Sequence, residues 1–69
     1  MTQYIAKLVY LDTGKSDQSG AYSVTPYKNA ADMKARVAWV GRLTSEADKA
    51  GRPYKLQTII RTEHIQDVL

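Results

Sequence analysis

Cysteine is absent from this chain of 69 residues, so disulfides, thiolate catalysis and cysteine-ligated zinc are excluded. That composition suits a reducing compartment. Histidine occurs once, at position 64, which leaves no histidine cluster for a metal and no evident partner for a catalytic serine. No apolar run approaches the roughly 20 residues of a membrane span, and no basic-then-apolar leader opens the chain. Repeats, low-complexity tracts and linkers are missing as well. These absences predict one small domain, 1–69, in a cytoplasmic protein with no membrane, metal or cofactor. A chain this short buries only about 60% of the surface its unfolded form exposes, so its core is small.

What is present is mildly basic. Ten Lys and Arg oppose seven Asp and Glu, for a net charge of +3. That balance permits nucleic-acid binding without requiring it. The excess lies mid-chain, around Lys28, Lys34, Arg36, Arg42, Lys49, Arg52 and Lys55.

Residues 3–11, rich in Tyr, Ile, Val and Leu, predict a first strand. A polar loop follows over 12–20, and 21–25 predict a second strand, ended by Pro26, which cannot donate to a ladder. Asn29 is placed as an N-cap, with Asp32 as a capping-box partner. One helix is then expected from Ala30 to Ala50. Ala30, Met33, Val37, Val40, Thr44 and Ala47 share a stripe about 100° wide, with Leu43 at its edge. Gly41, beside the stripe, is expected to let the helix approach the sheet. Gly51 is placed as the C-cap, and Pro53 forbids continuation. Residues 54–62 predict a third strand, and Ile65, Val68 and Leu69 fall at the spacing of one helical turn. The expected fold is α+β, β-β-α-β. Its three-stranded antiparallel sheet has the order 2-1-3 and one amphipathic helix on one face.

One helix covers one side of such a sheet. If Ile5, Val9 and Leu11 faced it, Lys7 would be buried among them, and an unpaired buried ammonium is costly. Tyr4, Ala6, Leu8 and Tyr10 are therefore expected beneath the helix. Outside would lie Ile5, Lys7, Val9 and Leu11, beside Lys55, Gln57, Ile59 and Arg61. Clustered exposed aliphatics mark partner sites, so Ile5, Lys7, Val9, Leu11, Ile59 and Arg61 are candidate contacts. The alternative is that Ile65 and Leu69 fold back over the patch. On the helix, Lys34, Arg42 and Lys49 are expected to align on the solvent side, a ridge that would suit phosphate together with Lys55. Trp39, off the core stripe, is read as a flank residue or, with Arg42, as an interface anchor.

Two motifs bear on chemistry. Gly14-Lys15-Ser16 looks like the end of a phosphate-binding loop. The glycine required five residues earlier is Val9, however, and a strand rather than a helix is expected next. Leu11-Asp12-Thr13-Gly14 resembles the hydrophobic-Asp-Thr-Gly signature of aspartic proteases, and residues 58–62 echo an Ile-Ile-Gly-Arg segment of their retroviral members. That resemblance implies two such aspartates sharing a proton across a homodimer. The chain departs from it in Lys15, in the missing second-motif glycine and flap, and in its long helix. The segment reads instead as a turn.

The chain is thus expected to be a non-enzymatic binding protein. Compact chains without catalytic sets are frequent among phage and mobile-element proteins, and the layout looks generally like some small phage inhibitors. A modulator or inhibitor that docks on a host protein or complex is the leading expectation. The alternatives are a small basic nucleic-acid-binding protein and a homodimeric structural module.

Overall fold

The computed structural model describes residues 2–60 and 64–68, and the side chains of all of these except 19–22. The tyrosine- and aliphatic-rich segment forms β1 (Tyr4–Tyr10), followed by β2 (Ser16–Ser23). Two helices come next, α1 (Ala30–Arg36) and α2 (Ala38–Ala50), then β3 (Tyr54–Ile60) and β4 (His64–Asp67). The strands make one antiparallel sheet in the order β2-β1-β3-β4. The α+β class and the central place of β1 match the sequence reading. The numbers of strands and helices do not.

The second strand begins earlier than expected. Tyr10 N–H donates to the Lys15 carbonyl (2.8 Å) and Gly14 N–H to the Tyr10 carbonyl (2.9 Å), closing the hairpin at once. Gly14 takes a left-handed φ of +73° there, a conformation that costs glycine little. Polar residues 16–18 then pair with β1, since ladder bonds come from the backbone whatever the side chain. Between Ile5 and Lys7 the register shifts, so β2 bulges.

The expected single helix breaks at Val37, whose φ of −117° and ψ of 102° are extended. Its N–H still donates to the Met33 carbonyl (2.9 Å), while its own carbonyl accepts from Gly41 (3.2 Å) and starts α2. An extended β-branched residue is unstrained, and Val37 buries its side chain at the break. Gly41 is what allows the two helices to meet. A Cβ there would lie 2.9 Å from the Lys34 carbonyl oxygen. The close approach expected of this glycine is therefore between α1 and α2, not between helix and sheet.

The caps follow the sequence reading. Asn29 Oδ1 accepts from Asp32 N–H (2.8 Å), and Asp32 Oδ2 accepts from Lys28 N–H (2.9 Å), one residue ahead of the cap. Gly51 ends α2 with φ +69°.

The tail expected as a helical turn is β4 instead. β3 is rich in apolar residues and offers a free ladder edge to the segment that follows it. β4 pairs along that edge, and Val68 N–H extends the ladder to the Leu56 carbonyl (2.9 Å). Arg61 and Leu69 lie outside the described residues.

The core forms on one side of the sheet. Ala6, Leu8 and Leu56 pack against Met33, Val37, Val40 and Tyr27, with Tyr4, Tyr10, Tyr54, Trp39 and Leu43 at its margin. Ala6 and Leu8 are fully buried, and a leucine buried to that degree contributes roughly 1.5–3 kcal/mol. Thr44 is also buried, its hydroxyl satisfied by the Val40 carbonyl (2.8 Å). Among the described residues, no helix is long and apolar enough to cross a membrane.

Candidate docking face

Because the core draws Ala6, Leu8, Leu56 and the marginal tyrosines to the helix side, alternation sends the intervening residues to the other. Register then groups them in rows across the sheet. Ile5, Ile59 and Ile65 make one row, Lys7, Gln57 and Asp67 a second, and Val9 with Lys55 a third. Gln57 Nε2 donates to Asp67 Oδ1 (2.9 Å), stitching β3 to β4. Lys7 stands half-buried on this face, as the cost of burying its charge requires, and Ile5 and Val9 are half-buried beside it.

One part of the expected patch needs correction. Ile59 is only 5% exposed, although it lies outside the helix-side core. With Ile5 on one neighbouring strand and Ile65 on the other, it forms the floor of the face and not a contact on it. The fourth strand accounts for this, because it places Ile65 beside Ile59 where a three-stranded sheet leaves an edge. The apolar atoms within reach of a partner belong to Ile65 (48% exposed), to Leu11 (54% exposed) just beyond β1, and to the open parts of Ile5 and Val9.

The expected ridge of Lys34, Arg42 and Lys49 is also divided, because the break at Val37 places Lys34 in α1. Its Nζ donates to the Tyr54 hydroxyl (2.9 Å) and sits 5.3 Å from that ring's centroid. Lys34 is thus a side chain at rest on the core's margin, while Arg42 and Lys49 remain exposed on α2 and Lys55 is exposed on the outer sheet face. Trp39 is half-buried against the core, with its Nε1 enclosed and lacking an acceptor among the described residues. It seals a flank of the core, and Arg42 stands exposed near it.

Two arginines with local structural roles were not singled out in the sequence. Arg36 Nη1 donates to the Pro26 carbonyl and to Asp32 Oδ2 (both 3.0 Å). Its Nη2 reaches the Thr25 carbonyl (3.1 Å), Thr25 Oγ1 (2.7 Å) and Ser23 Oγ, with Tyr27 stacked beneath. The only signal for it was its place four residues after Asp32, the helical ion-pair spacing. Arg52 grips Asp12 with Nε (2.9 Å) and Nη2 (3.2 Å) and lies over the Tyr10 ring. No local spacing announces a pair 40 residues apart.

The motif residues of the first hairpin therefore have structural partners. Asp12 is held by Arg52, which keeps its carboxyl below the usual value. A shared-proton pair of aspartates requires one carboxyl raised. Ser16 begins a strand, where a phosphate-binding loop would lead into a helix. A shallow cleft of about 460 Å³ lies here, lined by Tyr10, Thr13, Lys15, Ser16, Asp17 and Arg52. Its cations Lys15 and Arg52 are matched by Asp17 and Asp12, so it offers no net charge to a ligand. No group of three metal-ligating side chains occurs among the described residues.

Asp32 is likewise lowered, first by the Lys28 N–H and then by Arg36. Both carboxylates have folded pKa values below their unfolded ones. Their stabilisation is therefore complete above the unfolded value near 3.8 and is lost as pH falls through the folded values. The thermal midpoint should hold steady above about pH 5 and drop below about pH 4. Replacing Asp12 and Asp32 together by asparagine should flatten that drop, and an unchanged acid profile would show that neither pair stabilises the fold.

No family model, curated protein or solved structure matches this chain.

Proposed function

We propose that this chain is a non-enzymatic binding module, a small modulator or inhibitor in kind, that docks its outer sheet face on another protein. One observation carries the reading. Among the described residues the main hydrophobic cluster lies on the helix side of the sheet, while Ile5, Val9, Leu11 and Ile65 stand on or beside the other over the buried Ile59, flanked by Lys7 and Lys55. Accessible aliphatics rimmed by long polar side chains are the make-up of a protein interface. The outer sheet face is the part of the molecule that would perform that role.

Nucleic acid is the less favoured partner on the same grounds. Base stacking requires aromatic rings on the outer face of the sheet, and Tyr4, Tyr10 and Tyr54 pack on the core side. The cations that would track a phosphate backbone are spread over opposite sides, with Lys34 engaged by Tyr54.

A tagged pull-down from host lysate, divided into untreated and nuclease-treated halves, tests the proposal. A protein band should survive nuclease, and Val9→Glu should reduce its capture at least about tenfold while the fold persists, because a carboxylate replaces an apolar contact and must be desolvated on docking. Arg42→Glu, on the helix side, should change capture little. Bands lost with nuclease, or full capture by Val9→Glu, would overturn the reading.

A further inference from the structure

The fourth strand, unforeseen in the sequence, leaves its backbone at the sheet's edge. Val68 N–H donates to the Leu56 carbonyl, which makes Leu56 and Val68 a hydrogen-bonded pair of the β3–β4 ladder. In an antiparallel ladder such pairs alternate. Thr58 with Gln66 and Ile60 with His64 are therefore bonded pairs too, and the main-chain groups of Ile65 and Asp67 point away from β3. The other side of β3 agrees. Leu11 N–H donates to the Pro53 carbonyl (3.0 Å), so the odd-numbered residues of β3 bond toward β1 and its even-numbered ones toward β4.

Among the described residues the sheet thus has two edges, and they differ. β2 is bulged opposite the segment between Ile5 and Lys7, which spoils it as a template. β4 keeps a continuous register over all four of its pairs, and all four of its residues are exposed. An outward row of backbone donors and acceptors is matched by another extended chain.

Resting on the docking reading above, we propose that the outer edge of β4 receives one extended segment of the partner protein as a fifth, antiparallel strand. That segment carries a basic residue opposite Asp67 and, two positions further on, an apolar residue opposite Ile65. Antiparallel addition continues the pattern of the whole sheet and is the slightly stronger pairing. The apolar residue would extend the row of Ile5, Ile59 and Ile65, and the basic residue would meet the Asp67 carboxylate.

Charge argues against a second copy of this chain at the edge. A two-fold axis normal to the sheet keeps paired positions on the same face. Among the described residues, the register with the most backbone bonds then sets Ile65 against the copy's Asp67 twice. Centring the pair on Asp67 opposes two carboxylates, and centring it on Ile65 leaves, among the described residues, one bonded pair at the axis. A foreign strand with the basic–any–apolar pattern meets none of these conflicts.

The probe is a short, capped polythreonine peptide carrying lysine and, two positions later, valine. It is titrated into the full chain while amide hydrogen exchange is followed by NMR. In the free protein the Ile65 and Asp67 amides should exchange faster than those of Gln66 and Val68. The peptide should slow Ile65 and Asp67 at least about tenfold, and exchanging its lysine for glutamate should weaken binding about tenfold. Asp67→Lys should reverse that preference. Ile65→Pro should abolish binding with β4 still paired, since the N–H it removes plays no part in the β3 ladder. No protection at Ile65 and Asp67, or equal binding of the two peptides, would overturn the proposal. So would protection of both amides that rises with protein concentration alone, which would give the edge to a second copy. Partner capture separates the two readings. If it is lost with Val9→Glu but normal with Asp67→Lys and Ile65→Pro, the edge proposal is wrong and the docking face stands. If all three capture normally, both fall.

Discussion

Leu8→Ala is expected to remove roughly half of the stability of this domain. Leu8 is fully buried between the sheet and the helices, at the centre of the cluster formed with Met33, Val40 and Leu56. Truncating such a leucine costs about 2–5 kcal/mol, the larger values arising where the surroundings cannot collapse into the cavity. A domain of this length has only about 3–10 kcal/mol of stability in total. Urea titration followed by circular dichroism should show the midpoint falling to about half of its wild-type value. Val9→Glu, one residue along on the other face, should retain most of the wild-type midpoint. A reversal of that order would mean that β1 is turned the other way and that the face assigned to docking is the core.

Arg36→Ala is the second large effect, expected at about 1.5–3 kcal/mol, the range for hydrogen bonds to a charged group. One guanidinium holds the segment between β2 and α1 by the carbonyls of Thr25 and Pro26, pairs with Asp32 and stacks on Tyr27. The site is partly solvated, and water recovers the carbonyls once the arginine is gone, which keeps the loss below that of a buried ion pair. Arg36→Lys should restore only a minority of the loss, since an ammonium cannot serve both sides of a planar fork. Thermal melts of the three proteins, with limited proteolysis between Val24 and Lys28, give the comparison. A lysine variant as stable as wild type would reduce the contribution of this residue to charge alone.

The parts of this fold legible in the sequence are those set by local rules. Neither face of 3–11 is polar, and the cost of burying Lys7 favoured the orientation that β1 takes without fixing it, while Asn29 and Gly51 marked the outer helix ends where capping chemistry puts them. The rest depended on partners distant in sequence. Nothing in the periodicity of 30–50 distinguishes one helix from two, because Val37 and Gly41 each fit a continuous helix and only the Lys34 carbonyl makes the glycine necessary. Ile65 and Val68 are spaced for a helical turn, yet the open edge of β3 makes a strand of that segment. Polar residues 16–18 carry no strand signal of their own and are drafted by the hairpin. The same cause moved the site. Once β4 is present, Ile59 becomes a floor residue and Ile65 takes its place at the surface.

Lysine footprinting distinguishes docking through the sheet from docking through the helices. Acetylation of surface amines is compared for the protein alone and for the protein bound to the material it retains from nuclease-treated lysate. If the outer sheet face is the docking surface, Lys7 and Lys55 should be protected in the complex while Lys28 and Lys49 on the helix side react as before. Protection at Lys49 with Lys7 and Lys55 fully reactive would place the interface on the helices and rule out the sheet face as the docking surface.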